Sequence, residues 1–187
     1  MKFNGQFIKL KKFVCLLLYY GFAQYLPDSY CSIKFIGNLS NAIRVFFCKR
    51  IFFKCGHIRT INRKVQFGSG RFIEMGDESG IGARTQLPAN TIIGNHSMIG
   101  RDSFILESNH RFDRIDIPIN DQGSLPPKQT VIEDDVWIGV RCIFTPGRNV
   151  KKGTIIGMGS VVTKDFPEYS IIGGAPAKLI RSRLDQV

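Results

Sequence analysis

Along residues 69–110 an aliphatic residue recurs at every sixth position. Counting back from Ile105 gives Ile99, Ile93, Leu87, Ile81, Met75 and Ser69, of which only the serine breaks the pattern. Four places after these positions come Asn109, Ser103, Ser97, Thr91, Thr85, Ser79 and Ile73, mostly small residues. The pattern stops after His110 and resumes at Ile132, Ile138, Phe144, Val150, Ile156 and Val162. The offset between the two runs, 132 − 105 = 27, is not a multiple of six, so a loop at about 111–131 is inserted into one continuous repeat. A helix repeats at about 3.6 residues and an isolated strand at about 2, so a period of six fits neither alone. It predicts short strands joined by tight turns, with the aliphatic residues inside and Gly, Asn or Asp at corners that need left-handed backbone angles. Stacked coils of this kind pair their backbones along an axis and bury one aliphatic column, giving an all-β solenoid.

The first 60 residues carry no hexad. They read as two helical stretches, about 5–25 and 39–55, separated by "PDSY" and "IGNLS", with Asn38 or Ser40 capping the second. The expected organisation is a helical segment over 1–60, a β-helix with its loop over 61–183, and a tail over 184–187. Charge separates the same regions. Residues 1–64 hold twelve Lys or Arg against Asp28 alone, so 12 − 1 = +11, whereas 65–187 hold fourteen of each sign, so 14 − 14 = 0. A neutral solenoid argues against a nucleic-acid partner. A basic segment carrying Phe13, Tyr19, Tyr20, Phe22 and Tyr25 fits either helices packed on their own protein or peripheral contact with a membrane. The uncharged run at 13–27 is shorter than the roughly 20 apolar residues of a membrane span. It is followed by no clean cleavage site, which leaves a cytoplasmic protein as the expectation. Five cysteines without a CxxC pair favour reduced thiols, and no metal is expected.

The stretches "IGNHSMIGRDSFI", "IEDDVWIGVRCIFTPG", "GMGSVVTKDFPEYSIIGGAPAKLIR" and "SNHRFD" resemble the hexapeptide-repeat acyltransferases over about residues 60–183. The similarity is to maltose and galactoside O-acetyltransferases and to their relatives in surface-polysaccharide synthesis. It implies a left-handed parallel β-helix of triangular section with an extruded loop, assembled as a homotrimer with acyl-CoA between neighbouring subunits. It also implies acetyl-CoA as co-substrate and a saccharide acceptor.

Acetyl transfer to a hydroxyl needs a base, donors for the oxyanion and a grip on CoA. Imidazole suits the first task, because histidine ordinarily titrates near neutral pH. His57 precedes the hexads and reads as a surface or packing residue, and His96 as a turn residue. His110 stands where the coil opens into the loop, and alignment with the family makes it the catalytic histidine. Asp113, Glu107 or a backbone carbonyl could orient its ring, and Asn109 adjoins it. The resemblance implies direct attack without an acyl-enzyme, and Cys142, at a core position, offers no rival nucleophile. Carried over by position, the CoA groove falls to Val140, Met158, Thr163 and Lys164, with Lys178 and Arg181 near the nucleotide. Trp137 belongs beside the acetyl group or at the trimer interface. Lys178 and Arg183 read equally well as solvated surface charge.

One departure bears on the acceptor. Where galactoside-type enzymes carry an asparagine that helps the transition state, this chain has Arg84 in "IGARTQ". Asn90 is the nearby substitute, and Arg84 itself suits an anionic acceptor. The leading expectation is therefore a sugar O-acetyltransferase. The alternatives are an antibiotic O-acetyltransferase and, more distantly, a non-catalytic β-helix that binds a partner. A zinc enzyme of the γ-carbonic anhydrase type would need closely spaced histidines that the chain lacks.

Overall fold

A computed structural model describes Lys2–Phe3, Gln6–Phe7 and residues 10–186. Lys2–Phe3 and Gln6–Phe7 pair antiparallel, with Lys2 opposite Phe7. Helix α1 follows at Leu10–Gly21 and helix α2 at Lys34–Ile51. The first helix therefore starts later than the expected residue 5, and positions 6–7 are strand instead. Positions 5, 8 and 9 of that expectation, and Val187 of the tail, lie outside the described residues.

The second helix is also displaced, beginning at Lys34 rather than near 39. Asn38 and Ser40 do not cap it. Ile33 occupies the cap position without a side-chain hydrogen bond, and Ser40 lies buried inside the helix. Packing overrides the local cap signal here. Gly37 brings the helix against the Ser29 carbonyl, where an added Cβ would sit 2.6 Å from the oxygen. One turn or two further on, the buried Arg44 donates from Nε to the Ile61 carbonyl at 2.7 Å and from Nη2 to Ser29 Oγ at 2.9 Å. The helix ends at Ile51 rather than 55, because Phe52 turns extended and Lys54–Cys55 pairs with Glu74–Met75.

From Lys54 onward the chain winds a three-faced prism. The first face stacks Lys54–Cys55, Glu74–Met75, Ile92–Ile93, Val131–Ile132 and Asn149–Val150. The second stacks Thr60–Ile61, Gly80–Ile81, Met98–Ile99, Trp137–Ile138, Ile155–Ile156 and Ser170–Gly173. The third stacks Phe104–Ile105, Ile143–Phe144 and Val161–Val162, continued towards the N-terminus by parallel bridges through Gln86 and Gln66. Pairing around the prism is parallel, and only Lys178–Ser182 closes the second face antiparallel. This is the left-handed β-helix with an extruded loop and an N-terminal helical segment that the hexads and the resemblance predicted.

The hexad is one face of one coil. Val131 pairs with Asn149, so a coil is 149 − 131 = 18 residues, three hexads. In the two-residue strands of the prism the second side chain turns toward the core and the first position faces out, as with Ile99 and Met98. The small residue four places on is a hydrogen-bonding corner. Ser79 Oγ donates to the Gly94 carbonyl at 2.6 Å and Ser97 Oγ to the Glu133 carbonyl at 2.6 Å, each reaching across to the next coil. Cys142 takes the same role, its Sγ 3.3 Å from the Gly157 carbonyl.

Two register breaks locate the exceptions. Lys54 pairs with Glu74, 74 − 54 = 20 residues away, so the first coil carries two extra residues. They fall in the corner around Gly68 and Gly70, both left-handed, so the inward residue is Phe67 and not the half-buried Ser69 of the sixfold count. Ile92 pairs with Val131, and 131 − 92 = 39 leaves 39 − 18 = 21 residues for the loop.

Candidate active site

The 21-residue loop leaves the prism at the edge between its third and first faces, and His110 stands at its root. There the outgoing and returning chains form a short antiparallel stem. The Leu125 N–H donates to the Asn109 carbonyl at 2.7 Å, Arg111 N–H to Gly123 at 2.9 Å, and Lys128 N–H to Glu107 at 2.9 Å. His110 lies opposite Ser124 in this stem. Its backbone is thus held on the scaffold while its side chain is exposed. Among the described residues nothing hydrogen-bonds the imidazole, and the structure brings neither Asp113 nor Glu107 onto it. Farther out, Gln122 ties the loop by donating to the Arg114 and Ile117 carbonyls, and Arg114 pairs with Asp116. Phe112, Ile115 and Ile119 project from the loop with their apolar surface uncovered.

Asn90 shares this edge one coil earlier. It is half-buried, its carbonyl accepts from Gln129 Nε2 at 3.1 Å, and its own Oδ1 is buried without a hydrogen-bond donor. Thr163 and Lys164 lie on the same edge above the stem, both exposed. Between stem and prism is a cavity of about 150 Å³ lined in part by Ser108, Asn109, Lys128, Thr145 and Arg148. Arg148 donates to the Thr163 carbonyl at 3.0 Å and lies 3.4 Å from Asp165.

Other predicted residues fall elsewhere. Val140, Met158 and Arg84 sit on the edge between the second and third faces. Coils approach closely there because Gly139 has no side chain: a Cβ would lie 2.6 Å from the Met158 nitrogen. Met158 is exposed, and Val140 is half-buried beneath it, its carbonyl accepting from Gly159 N–H. Arg84 does not point free. It makes a two-pronged pair with Asp102, Nε to Oδ1 at 2.6 Å and Nη2 to Oδ2 at 2.9 Å. That hydrogen bond holds the Asp102 carboxyl below the ordinary aspartate range. Asp102 escaped the sequence reading, yet its signal was present: it follows Arg84 by one coil, 102 − 84 = 18.

Trp137 faces outward from the second face at 53% exposure, in register between Met98 and Ile155. Lys178 and Arg181 lie exposed on the closing strand. Arg183 has a structural role, donating to the Gly153 carbonyl at 2.6 Å and to Asp135 at 3.1 Å. The second face also carries a cavity of about 750 Å³, whose lining includes Asp28, Tyr30, Arg59, Glu78, Met98 and Arg101. Asp28 and Tyr30 come from the connection between the helices, where the sequence has no repeat to reveal them.

The remaining histidines are otherwise engaged. His57 Nδ1 lies 2.6 Å from Glu78 Oε1, and His96 occupies a left-handed corner. Burial raises the Cys142 thiol above its usual range, so it is held neutral in the core. Among the described residues no group of three or more His, Cys, Asp or Glu is placed to hold a metal.

No protein-family profile matches the chain. A chloramphenicol acetyltransferase of Agrobacterium fabrum is 52% identical over 63 residues, covering 34% of this chain and 30% of that protein. A galactoside O-acetyltransferase of Lactococcus lactis is 34% identical over 89 residues, covering 48% and 42%. The chain thus spans about half or less of the curated relatives it matches. Among solved structures, a hexapeptide-repeat acetyltransferase of Vibrio cholerae complexed with acetyl coenzyme A superposes with a TM-score of 0.71 at 24% identity, covering 97% of this chain and 92% of that one. A maltose O-acetyltransferase of Clostridium difficile gives 0.67 at 23% identity, covering 92% and 86%. The chain therefore has the fold of the hexapeptide-repeat acetyltransferases and, over part of its length, resembles galactoside and chloramphenicol acetyltransferases in sequence.

Proposed function

We propose that the chain is an acetyl-CoA-dependent O-acetyltransferase that acetylates a saccharide hydroxyl in the assembly of a surface polysaccharide or lipopolysaccharide. The observation that carries this reading is the placement of His110, an imidazole without a hydrogen-bond partner among the described residues, on the hydrogen-bonded root of the long loop inserted into the prism. A base on a rigid scaffold beside mobile reactants is what proton abstraction from a hydroxyl requires. In the reaction the acceptor hydroxyl oxygen attacks the thioester carbonyl carbon while its proton passes to the His110 imidazole. The tetrahedral intermediate then collapses, the C–S bond breaks, and the imidazolium returns its proton to the departing CoA sulfur. The products are an O-acetyl ester and free CoA, and no acyl-enzyme forms, in keeping with a neutral, buried Cys142.

The residues of this mechanism occupy different edges of one prism: His110, Asn109 and Asn90 on one, Val140 and Met158 on another. A homotrimer reconciles them, since the edge of one copy can face the next and the apolar loop residues Phe112, Ile115 and Ile119 then gain cover. Exposed Trp137 and Met158 suit the pantetheine arm, and Thr163, Lys164, Lys178 and Arg181 the polar and phosphate groups of CoA. Asp113, which makes no hydrogen bond to the ring among the described residues, is assigned to the acceptor or to ordering the loop, and Arg84, neutralised by Asp102, is a poor anchor for an anionic acceptor.

The 52% local identity to a chloramphenicol acetyltransferase favours a second reading, acetylation of an antibiotic hydroxyl. Thiol release from acetyl-CoA, measured with a panel of sugars, nucleotide sugars and chloramphenicol, separates the two. Turnover on a saccharide and none on the drug is expected. Turnover confined to chloramphenicol overturns the acceptor, and no transfer to any hydroxyl overturns the reaction.

A further inference from the structure

We infer that the side of the helical pair turned away from the solenoid is a docking surface for an anionic lipid bilayer. Both helices bury one face on the first coil of the prism. The Tyr19 hydroxyl of α1 donates to the Val65 carbonyl at 3.0 Å, and Arg44 of α2 donates to the Ile61 carbonyl. At about 100° per residue, Leu10, Val14 and Leu17 of α1 share one stripe opposite buried Leu16 and Tyr19. Phe35, Leu39 and Phe46 of α2 share another, opposite Gly37, Arg44 and Cys48. Leu10 is 77% exposed and Phe35 76%, and the other members of both stripes are exposed as well. Two helices packed on one end of a prism and on each other thus present an apolar surface outward.

Charge identifies what would cover it. Neither helix contains an acidic residue, and exposed Lys11, Lys34, Lys49 and Arg50 flank the stripes. Arg50 lies 3.4 Å over the Phe46 ring, a cation held against an aromatic at the rim of the apolar surface. The whole excess of +11 sits in residues 1–64, while the solenoid beyond is neutral. A second copy offering the same face would bring like charges together. A nucleic acid would satisfy the cations and leave the leucines and phenylalanines in water. An anionic bilayer answers both, with apolar side chains entering the acyl boundary and cations meeting the headgroups. Among the described residues no helix is long and apolar enough to cross a membrane, so this contact lies in the interface. It does not depend on the acyl-transfer reading.

The test is sedimentation of the full chain with vesicles of phosphatidylcholine alone or mixed with phosphatidylglycerol. Binding is expected only with the anionic lipid and should weaken as salt is raised. A Leu17→Glu, Phe46→Glu double variant, altered at exposed positions, should lose at least about tenfold in affinity while unfolding at an unchanged temperature. Equal behaviour with both vesicle types, absence of binding, or undiminished binding by the variant overturns the proposal. So does a fall in the protein's solution mass on the double substitution, which would assign the face to a second copy.

Discussion

At the scale of single residues, the chemistry of this chain rests on which polar groups are engaged and which are free. His57 is paired and His96 is spent on a corner, whereas the His110 ring is unengaged on a fixed backbone. Arg84 illustrates the opposite case. Its replacement of an acceptor-site asparagine suggested a cation open to a substrate, but Asp102 neutralises it. Because that bond lowers the Asp102 pKa, its stabilisation is complete above the ordinary carboxylate value near about 4 and disappears as pH falls through the lower folded value. Asp102→Asn keeps a residue type that tolerates the left-handed corner and removes the charge together with one of the two acceptors for Arg84. The variant should melt lower than the wild type by at most about 3 °C at pH 7, and the gap should close below about pH 4. A gap independent of pH would mean that the carboxylate charge is not what matters. His110 and the Arg84–Asp102 pair were both within reach of the sequence, the first as a break in period and the second as a spacing of one coil. The burial of the Asn90 amide oxygen was not, because burial is a property of packing.

At the scale of elements, the β-helix was legible because its local and global rules coincide. Hexad after hexad repeats an inward aliphatic residue and a corner, and most place a small residue four positions on, so the period of Ile93, Ile99 and Ile105 states the fold directly. The miss at Ser69 came from a two-residue corner insertion that a rigid count cannot detect. The helical segment was read less well. Its second helix is positioned by Gly37 and Arg44 contacts with distant backbone, not by Asn38 or Ser40. The joint between the two architectures is aromatic. Phe67, fully buried in the first coil, lies 4.7 Å from the Tyr19 ring and 4.9 Å from Phe52. Phe67→Ala should therefore cost about 3–5 kcal/mol in denaturant unfolding, with the helical layer and the prism melting together in the wild type. A loss below about 1 kcal/mol would show that the layer is not anchored there.

At the scale of the whole molecule, the prism supplies rigidity and the departures from it supply function. Two departures from the regular stack carry candidate groups: the 21-residue loop with His110 at its root, and the helical layer whose connection puts Asp28 and Tyr30 beside the second face. On the proposed reading the candidate residues lie on separate edges of one copy, which is why that reading calls for assembly. The basic, apolar end of the prism belongs to the proposed lipid contact, which the vesicle experiment tests separately from the acyl-transfer reading. The most direct measurement is the turnover of acetyl transfer to a saccharide acceptor by His110→Ala beside the wild type, at matched folding and assembly. A fall in kcat of about a hundredfold to ten-thousandfold is expected for loss of a general base. Turnover within about tenfold of wild type would remove His110 from that role and, with it, the reading of the loop root as the active site.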